Sequence, residues 1–409
     1  MRILFLSDNF PPEYNAPASR TFEHCKEWVA SGADVVVITC APNFPTGVVY
    51  EGYKNKLYQK EVLEGITVIR VWSFITPNNG IFKRTLDFVS FSITSFIVGL
   101  FTKCDIIVAT SPQFFTAVSG CALGVIRRKP WVMEVRDIWP ESIQAVGVTK
   151  LNWVISFLEW VELNLYKLSS CVIVVTDSFK ENLIRRGINP NKIQIVKNGV
   201  DLTIYQPQPK NEALISQLSL RDKFIIGYVG THGLAHSLDF IVRSIKKENN
   251  QSNHFLFIGD GAEKKNIVKL ASELGIPNIS FIDPVKKSEI GTYLSILDLA
   301  LVPLRKSSTF ESVIPSKIFE SVAMHIPILL GVDGETRNII EQYAAGIFFE
   351  PENEEDFLGK LQQMKSNIVS DRHFYSVGCQ KMANDFNRKK LAKKMLDILT
   401  DIITKANSK

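Results

Sequence analysis

Short runs of apolar, largely β-branched residues recur along the whole chain, each followed by a segment long enough for a helix. This alternation constrains the fold more than any other feature. Seven runs occupy the first half (RILFLS, DVVVITC, ITVIRVW, DIIVATS, WVMEVRD, CVIVVTD, IQIVKNG) and six the second (FIIGYVG, HFLFIGD, ISFIDP, LDLALVP, IPILLGV, GIFFEP). They are apolar throughout, which suits parallel strands covered on both faces. Strands alternating with helices build right-handed βαβ units. The expected fold class is therefore α/β, with two doubly wound sheets, since 409 residues exceed what one core normally serves.

The break between the two sets falls near Asp201 to Arg221, a Pro-, Gln- and Asn-rich stretch read as an interdomain connection. The domains expected are 1–203 and 204–386, followed by a C-terminal helix over 387–409 with Leu391, Met395, Ile398 and Ile402 on one stripe. Open α/β sheets bind ligands at the carboxyl ends of their strands, so the loops there are where site residues are sought.

Composition excludes several classes. Lys+Arg 47 against Asp+Glu 42 leaves +5, too little for a nucleic-acid-type basic block. The six cysteines form no CxxC and no Cys/His cluster, so they read as reduced, packed thiols. MRILFLSD lacks the form of a signal peptide and reads as a buried strand. The longest apolar stretch, Phe88 to Phe101, is short of the roughly 20 residues that span a bilayer. Lys83, Arg84 and Lys103 bracket it, and Trp153, Phe157, Trp160 and Leu163 form an aromatic-rich stripe nearby, with Arg127, Arg128 and Lys129 close in sequence. Aromatics plus cations suit a helix lying in a lipid interface; the alternative is two helices packed on a sheet.

The strongest constellation is VPLRKSSTFESVIPSKIFESVAMHIP at 302–327. A strand ends at Pro303, a polar loop follows, and Pro315-Ser316 opens a helix with Ser316 as the expected N-cap. The free N–H groups and positive dipole end of such a helix suit phosphate. Lys317 adds a full charge, and Glu320, one turn on, suits a pair of vicinal hydroxyls. The alternative is an N-cap with two surface residues. Gly259-Asp260-Gly261 follows a strand, and its glycines allow close backbone approach to a ligand or form a plain βα turn. Arg136 and Asp137 stand at the end of another strand, either facing a ligand or paired with each other. Asp137 is a candidate base for an acceptor hydroxyl. In the loop after the first strand, Asn15, Ala16 and Ala18 are small enough to admit a diphosphate, and Arg20 opens the next helix. His232 and His236 lie in the THGLAHS loop and not clearly on one helix face, so they are not read as a metal pair, and His232 is read as lying near phosphate.

In SDNFPPEYNAPASR, KNGVD, IGDGAE and SKIFESVAMHIPIL, in this order, the chain resembles the retaining GT-B glycosyltransferases of family 4. The resemblance covers both halves. EVRDIWPES and IPSKIFE are similar to a narrower subgroup that builds bacterial O-antigen and capsule, including N-acetyl-L-fucosamine transferases. It implies two Rossmann-like domains, an acceptor-side one first and a nucleotide-sugar-binding one second, with the last helix returning to the first. It also implies a UDP-sugar donor, with N-acetyl-L-fucosamine a specific expectation, and a lipid-linked saccharide acceptor of the undecaprenyl-diphosphate type. Peripheral attachment at the inner face of the cell membrane, no cofactor, no catalytic metal and no nucleic acid follow.

The resemblance assigns roles to residues as well. Glu320 corresponds to the second glutamate of the family's pair, on the donor ribose. The first glutamate's position is Ser312, so Glu311 beside it, or the backbone amides of Val313 and Ile314, take the sugar contact. The family's basic pair is absent after FIIGYVG, and Lys317 with Arg305 or Lys306 substitutes on the diphosphate. Val285 falls where relatives read the nucleobase through backbone groups. Arg136 or Asp137 takes the place of a histidine that contacts the transferred sugar. The rival readings are a UDP-N-acetylhexosamine epimerase of the same fold and a non-catalytic nucleotide-sugar-binding partner of an assembly complex.

Overall fold

The structure is a computed structural model that describes residues 1–13, 15–76, 81–111, 114–138, 152–248 and 250–408, apart from the side chains of residues 81, 82, 152 and 154. The chain folds as two compact units. One comprises Met1–Asn198 with Arg388–Lys409, the other Gly199–Asn387.

The first unit is built on eight strands: β1 (Arg2–Leu6), β2 (Asp34–Cys40), β3 (Tyr58–Leu63), β4 (Ile66–Val71), β5 (Ile106–Thr110), β6 (Trp131–Val135), β7 (Cys171–Val174) and β8 (Ile193–Ile195). Their order across the sheet is β3-β4-β2-β1-β5-β6-β7-β8, parallel except for β3. β1, β5 and β6 are buried along their length apart from Arg2, as unbroken apolar runs require. β3 is the strand that apolar runs do not reveal. Its sequence YQKEVL alternates exposed and half-buried positions, as an antiparallel edge strand does. It joins β4 by a two-residue turn at Glu64 and Gly65, both at positive φ.

The helix Arg388–Asn407 packs against the helix Ala16–Ala30 in this unit. Ala392, Met395 and Leu399 are fully buried there, and Trp28 donates through Nε1 to the Ala392 carbonyl at 2.8 Å. On the sheet face formed by the other core cluster lie three helices, Ile81–Phe101, Phe114–Arg127 and Asn152–Leu168.

The second unit has six parallel strands, β9 (Phe224–Val229), β10 (Asn253–Ile258), β11 (Ile279–Ile282), β12 (Leu299–Pro303), β13 (Ile328–Gly331) and β14 (Gly346–Phe348), in the order β11-β10-β9-β12-β13-β14. The stretch read as a connection belongs to this unit. Val200, Tyr205, Leu214, Ile215 and Leu220 are buried in its core, because the apolar residues scattered among the polar ones include a short helix, Glu212–Gln217, with one inward face. The change of unit falls at Asn198 and Gly199, a few residues before 203. All six cysteines are free and buried.

Candidate active site

In the second unit the loops after β9, β10 and β12 converge around one lysine. Lys317 opens the helix Lys317–Ala323. Its Nζ is buried with no hydrogen-bond partner and stands 3.9 Å from the ring centroid of Tyr228. Tyr228, near the end of β9, is fixed by its hydroxyl donating to the Thr231 carbonyl at 2.6 Å. Gly230 leaves the space for the lysine, since a Cβ there would stand 3.2 Å from Nζ. Burial pulls the Lys317 pKa down to about 7, and Glu320 acts to raise it. Lys317 and Glu320 line the same small cavity with Gly227, Val229, Leu297 and Ser321. The structure thus brings together the two residues on which the reading of 302–327 turned.

Around Lys317 the donors and acceptors are poorly matched. His232 is fully buried, against Tyr228 and Phe257 at ring distances of 5.7 and 6.3 Å, and neither ring nitrogen has a partner. Burial, with repulsion from Lys264 and Lys317, holds its pKa near 4. His236, whose Nδ1 is also unpartnered, is held near 3 by burial and Lys317. Among the described residues, four buried nitrogens on Lys317, His232 and His236 therefore lack hydrogen bonds. Orphan buried polar groups of this kind are costly and ask for an explanation. For Lys317 Nζ, oxygen atoms of a bound anion would supply one; the neutral imidazoles of His232 and His236 carry only one N–H each.

Other expectations for this unit are corrected. Ser316 is already in helical conformation (φ −59°, ψ −27°) and makes no side-chain cap. Pro315 and Ser316 have entered the turn, with their carbonyls accepting from Ile318 and Phe319. Arg305 is exposed and reaches toward Asp239 at 3.9 Å, and Lys306 pairs with Glu350 at 2.6 Å. Lys317 thus has neither as a fixed helper. Gly259 and Gly261, at φ 139° and 159°, accommodate backbone and not ligand. Added Cβ atoms would strike the carbonyl oxygens of Gly230 and His232 at 2.0 and 2.4 Å. His232 N–H donates to the Asp260 carbonyl and Glu263 N–H to the His232 carbonyl, which locks the two loops together. His232 faces an aromatic cluster where a phosphate-facing surface was expected.

Glu311 ends the short exposed helix Ser308–Glu311, its carbonyl against Gly334. The Val313 N–H donates to Phe310 at 3.2 Å and its carbonyl accepts from Thr336. That amide is therefore already used, and the Ile314 amide is the one of the pair not so engaged. Val285 packs on the core after β11. Tyr228 is the residue that sequence reading missed. Its position two before Gly230, on the same strand face, was the available signal.

In the first unit the expected phosphate loop is structural. Asn15 is the N-cap of the helix Ala16–Ala30, accepting from Ala18 N–H at 2.8 Å and donating to Asn9. Arg20 is buried instead of facing phosphate. It bonds Glu134 at 2.9 Å and the carbonyls of Val196 and Lys197, with Asn198 Oδ1 at 3.2 Å. Burial would raise the Glu134 pKa, but Arg20 and Arg136 more than offset it and hold it low. The backbone N–H groups of Arg136 and Asp137 both donate to Ser111 Oγ, at 2.7 and 3.3 Å. Arg136 Nε and Nη1 are buried without partners, so the fixed Arg136–Asp137 pair offered as the alternative is not made through them. Trp139 and Pro140 of the same motif lie outside the described residues.

The helix Ile81–Phe101 runs beyond the apolar stretch that suggested it. By length and composition alone its Lys83–Phe101 portion is long and apolar enough to cross a membrane, and 22% of its 18-residue apolar window is buried. Phe91 and Ser95 face the core, Ser95 bonding Ser119. Ile93, Ile97 and Phe101 are exposed, as are Trp153, Phe157 and Trp160 on the third helix. Most of the aromatic stripe thus points outward; Leu163 packs inward.

Comparison with known proteins matches both halves. Residues 18–204 fit the family described as Glycosyltransferase Family 4 and residues 210–376 the family Glycosyl transferases group 1. WcaI of Escherichia coli K12, a glycosyl transferase named for colanic acid biosynthesis, is 24% identical over 89% of this chain and 92% of its own. WbjE of Pseudomonas aeruginosa, named as a glycosyltransferase, is 26% identical over 53% and 55%. Among solved structures, sucrose-phosphate synthase from Thermosynechococcus elongatus superposes with a TM-score of 0.75 at 16% identity, over 98% of this chain and 99% of that one. Anabaena HepE, solved with UDP and glucose, gives 0.74 at 15% identity over the same shares.

Proposed function

Because the chain belongs to the glycosyltransferases of group 1 and family 4 and has the GT-B fold, we propose that it transfers a sugar from a UDP-sugar, with retention, to a lipid-linked saccharide during bacterial surface polysaccharide synthesis. The coarse class, a glycosyltransferase, is that of its relatives. UDP as the nucleotide is supported by the Anabaena neighbours solved with UDP and with UDP-glucose, and a surface polysaccharide product by the naming of WcaI. N-acetyl-L-fucosamine remains the first sugar to try.

The observation that carries the reading is the buried, unpartnered Nζ of Lys317 beside Glu320. The diphosphate gains charge as the glycosidic bond breaks, and a fixed cation in a water-poor nook stabilises that charge. In this reading Lys317 supplies the cation without a metal ion or cofactor, and Glu320 holds the ribose hydroxyls. The acceptor hydroxyl attacks from the face the diphosphate leaves, and Asp137 is the base we assign to it.

Peripheral attachment at the inner membrane face belongs to the same proposal. It is supported by the exposed Ile93, Ile97 and Phe101 on one helix and Trp153, Phe157 and Trp160 on another, both packed against Phe114–Arg127, with Lys83, Arg84 and Lys103 exposed at the ends of the first. Apolar and aromatic side chains ringed by cations suit a lipid interface.

The test is a screen of UDP-sugars, including N-acetylated amino sugars, for UDP release in the presence of membranes carrying the lipid-linked acceptor. Donor-specific release that requires the membranes supports the reading. UDP binding without release from any pair points to a non-catalytic binding partner. A new epimer seen by NMR without acceptor points to the epimerase.

A further inference from the structure

The first unit contains a separate buried cation whose charge is not matched. Arg136 follows β6, held by its N–H bond to Ser111 Oγ. Its Nε and Nη1 are buried and, among the described residues, without hydrogen-bond partners, while the residue keeps some exposed surface. The neighbouring charges do not satisfy it. Arg20 already holds Glu134 through Oε1 and spends its remaining nitrogens on the carbonyls of Val196 and Lys197. Arg388, which also acts electrostatically on Arg136, pairs with Glu23.

Among the described residues, three guanidinium groups (Arg20, Arg136 and Arg388) thus stand with the two carboxylates paired there, Glu134 and Glu23, one positive charge over. His24 adds no further positive charge: burial, then Arg20, Arg388 and Arg136, keep its pKa well below the usual value. Burial lowers the Arg136 pKa to about 10 against the support of Glu134. Glu134 Oε2 is unpartnered too. Swinging Arg136 onto it would satisfy hydrogen bonds but would leave the cluster positive.

We propose that Arg136 is the centre of an oxyanion-binding site in the N-terminal unit, taking a carboxylate or phosphate carried by the acceptor saccharide. The identity of the carrier rests on the transferase reading, whereas the site rests on the arginine cluster alone. Nε–H and Nη1–H point to different sides of the guanidinium, so each offers its own charge-assisted bond to an anion oxygen. An anion there would pair an orphan nitrogen and cancel the excess charge.

The test follows the Nε–Hε resonance of Arg136 in the full-length protein, with UDP present, during titration with inorganic phosphate and separately with glucuronate. A saturable shift with phosphate assigns a phosphate-bearing acceptor; one with glucuronate assigns an acidic sugar. Arg136→Gln should weaken the effective anion about tenfold or more, the value of a charge-assisted pair, and Arg136→Lys should recover part of it. An Arg136 resonance unmoved by either anion overturns the proposal, and Arg136 is then a structural partner of Glu134. Calorimetry of UDP with the wild-type protein runs in parallel. UDP binding without an anion response rejects this site and leaves the transferase reading standing, while loss of UDP binding bears on the transferase reading alone.

Discussion

The ammonium group of Lys317 lies over the ring of Tyr228, 3.9 Å from its centroid, and has no hydrogen bond. The ring face offers a cation partial compensation, worth up to about 2 kcal/mol when desolvated. It cannot replace the three acceptors that an ammonium group normally finds. A lysine kept in this state is poised for phosphate oxygens, and its helix and the Tyr228 ring fix it there beforehand.

Lys317→Ala is therefore expected to lower kcat by about a hundredfold or more, the scale on which removal of one such stabilising group acts, with a smaller change in donor KM. Steady-state kinetics with varied UDP-sugar checks this. A rise in KM alone would make Lys317 a binding residue only. Lys317→Arg should restore little, since the guanidinium is larger and Gly230 leaves room only for the lysine tip.

The depressed lysine also predicts proton uptake. Its folded pKa, about 7, lies below the ordinary value of 10.5. Between these values the unfolded chain holds the proton, so this group's contribution makes stability rise with pH across that window and is least favourable below about pH 7. Bound diphosphate favours the charged form. UDP binding near pH 8.5 should thus absorb close to one proton and weaken by up to about tenfold per pH unit above 7. Calorimetry in buffers of different ionisation enthalpy measures the uptake. Lys317→Met should abolish it, and a wild-type protein that absorbs no proton would refute this account of Lys317.

Much of this was legible in the chain because parallel strands are unbroken apolar runs. Thirteen of the fourteen strands announce themselves so, and β3 does not because an edge strand alternates. Lys317 and Glu320 were legible from one helix start, since local spacing puts them one turn apart. Arg20 was not. Its partners, Glu134, Val196 and Lys197, lie more than a hundred residues away, and a charge in a loop reads as a ligand group until its counter-charge is located. Gly259 and Gly261 misled for the same reason. Sequence shows that something approaches closely, and only the fold shows that it is the Gly230–His232 backbone.

The buried Arg20–Glu134 pair should be costly to break. Its side chains are 3% and 2% exposed, and removal of one partner leaves an uncompensated buried charge worth about 3–5 kcal/mol. Glu134→Gln is expected to lower the denaturation midpoint accordingly, and Arg20→Lys to do nearly as much because one ammonium cannot reach all of Arg20's partners. Urea titration measures both. A loss below about 1 kcal/mol would show that the cluster rearranges freely.

Membrane attachment, if it uses the exposed helices, should depend on outward side chains. Phe101→Asp with Trp160→Asp should reduce flotation with anionic liposomes while leaving the melting temperature near that of the wild type, both positions being exposed. Phe91→Asp, at a fully buried position, should unfold the protein instead. Attachment should weaken with salt, since exposed charges are screened over about 8–10 Å at physiological ionic strength. Absence of the folded wild-type protein from anionic liposomes at low salt would refute attachment and leave the chemistry untouched.

The central claim is that the Lys317–Glu320 helix start seats a nucleoside diphosphate, and calorimetry of UDP with wild-type and Glu320→Ala protein tests it most directly. Glu320 shares the Lys317 cavity, and a charge-assisted bond to ribose is worth about 1.5–3 kcal/mol. The account predicts that the wild type binds UDP and that the folded variant binds it roughly ten- to a hundredfold more weakly. A wild type that does not bind UDP, or a folded Glu320→Ala protein with unchanged affinity, would contradict it.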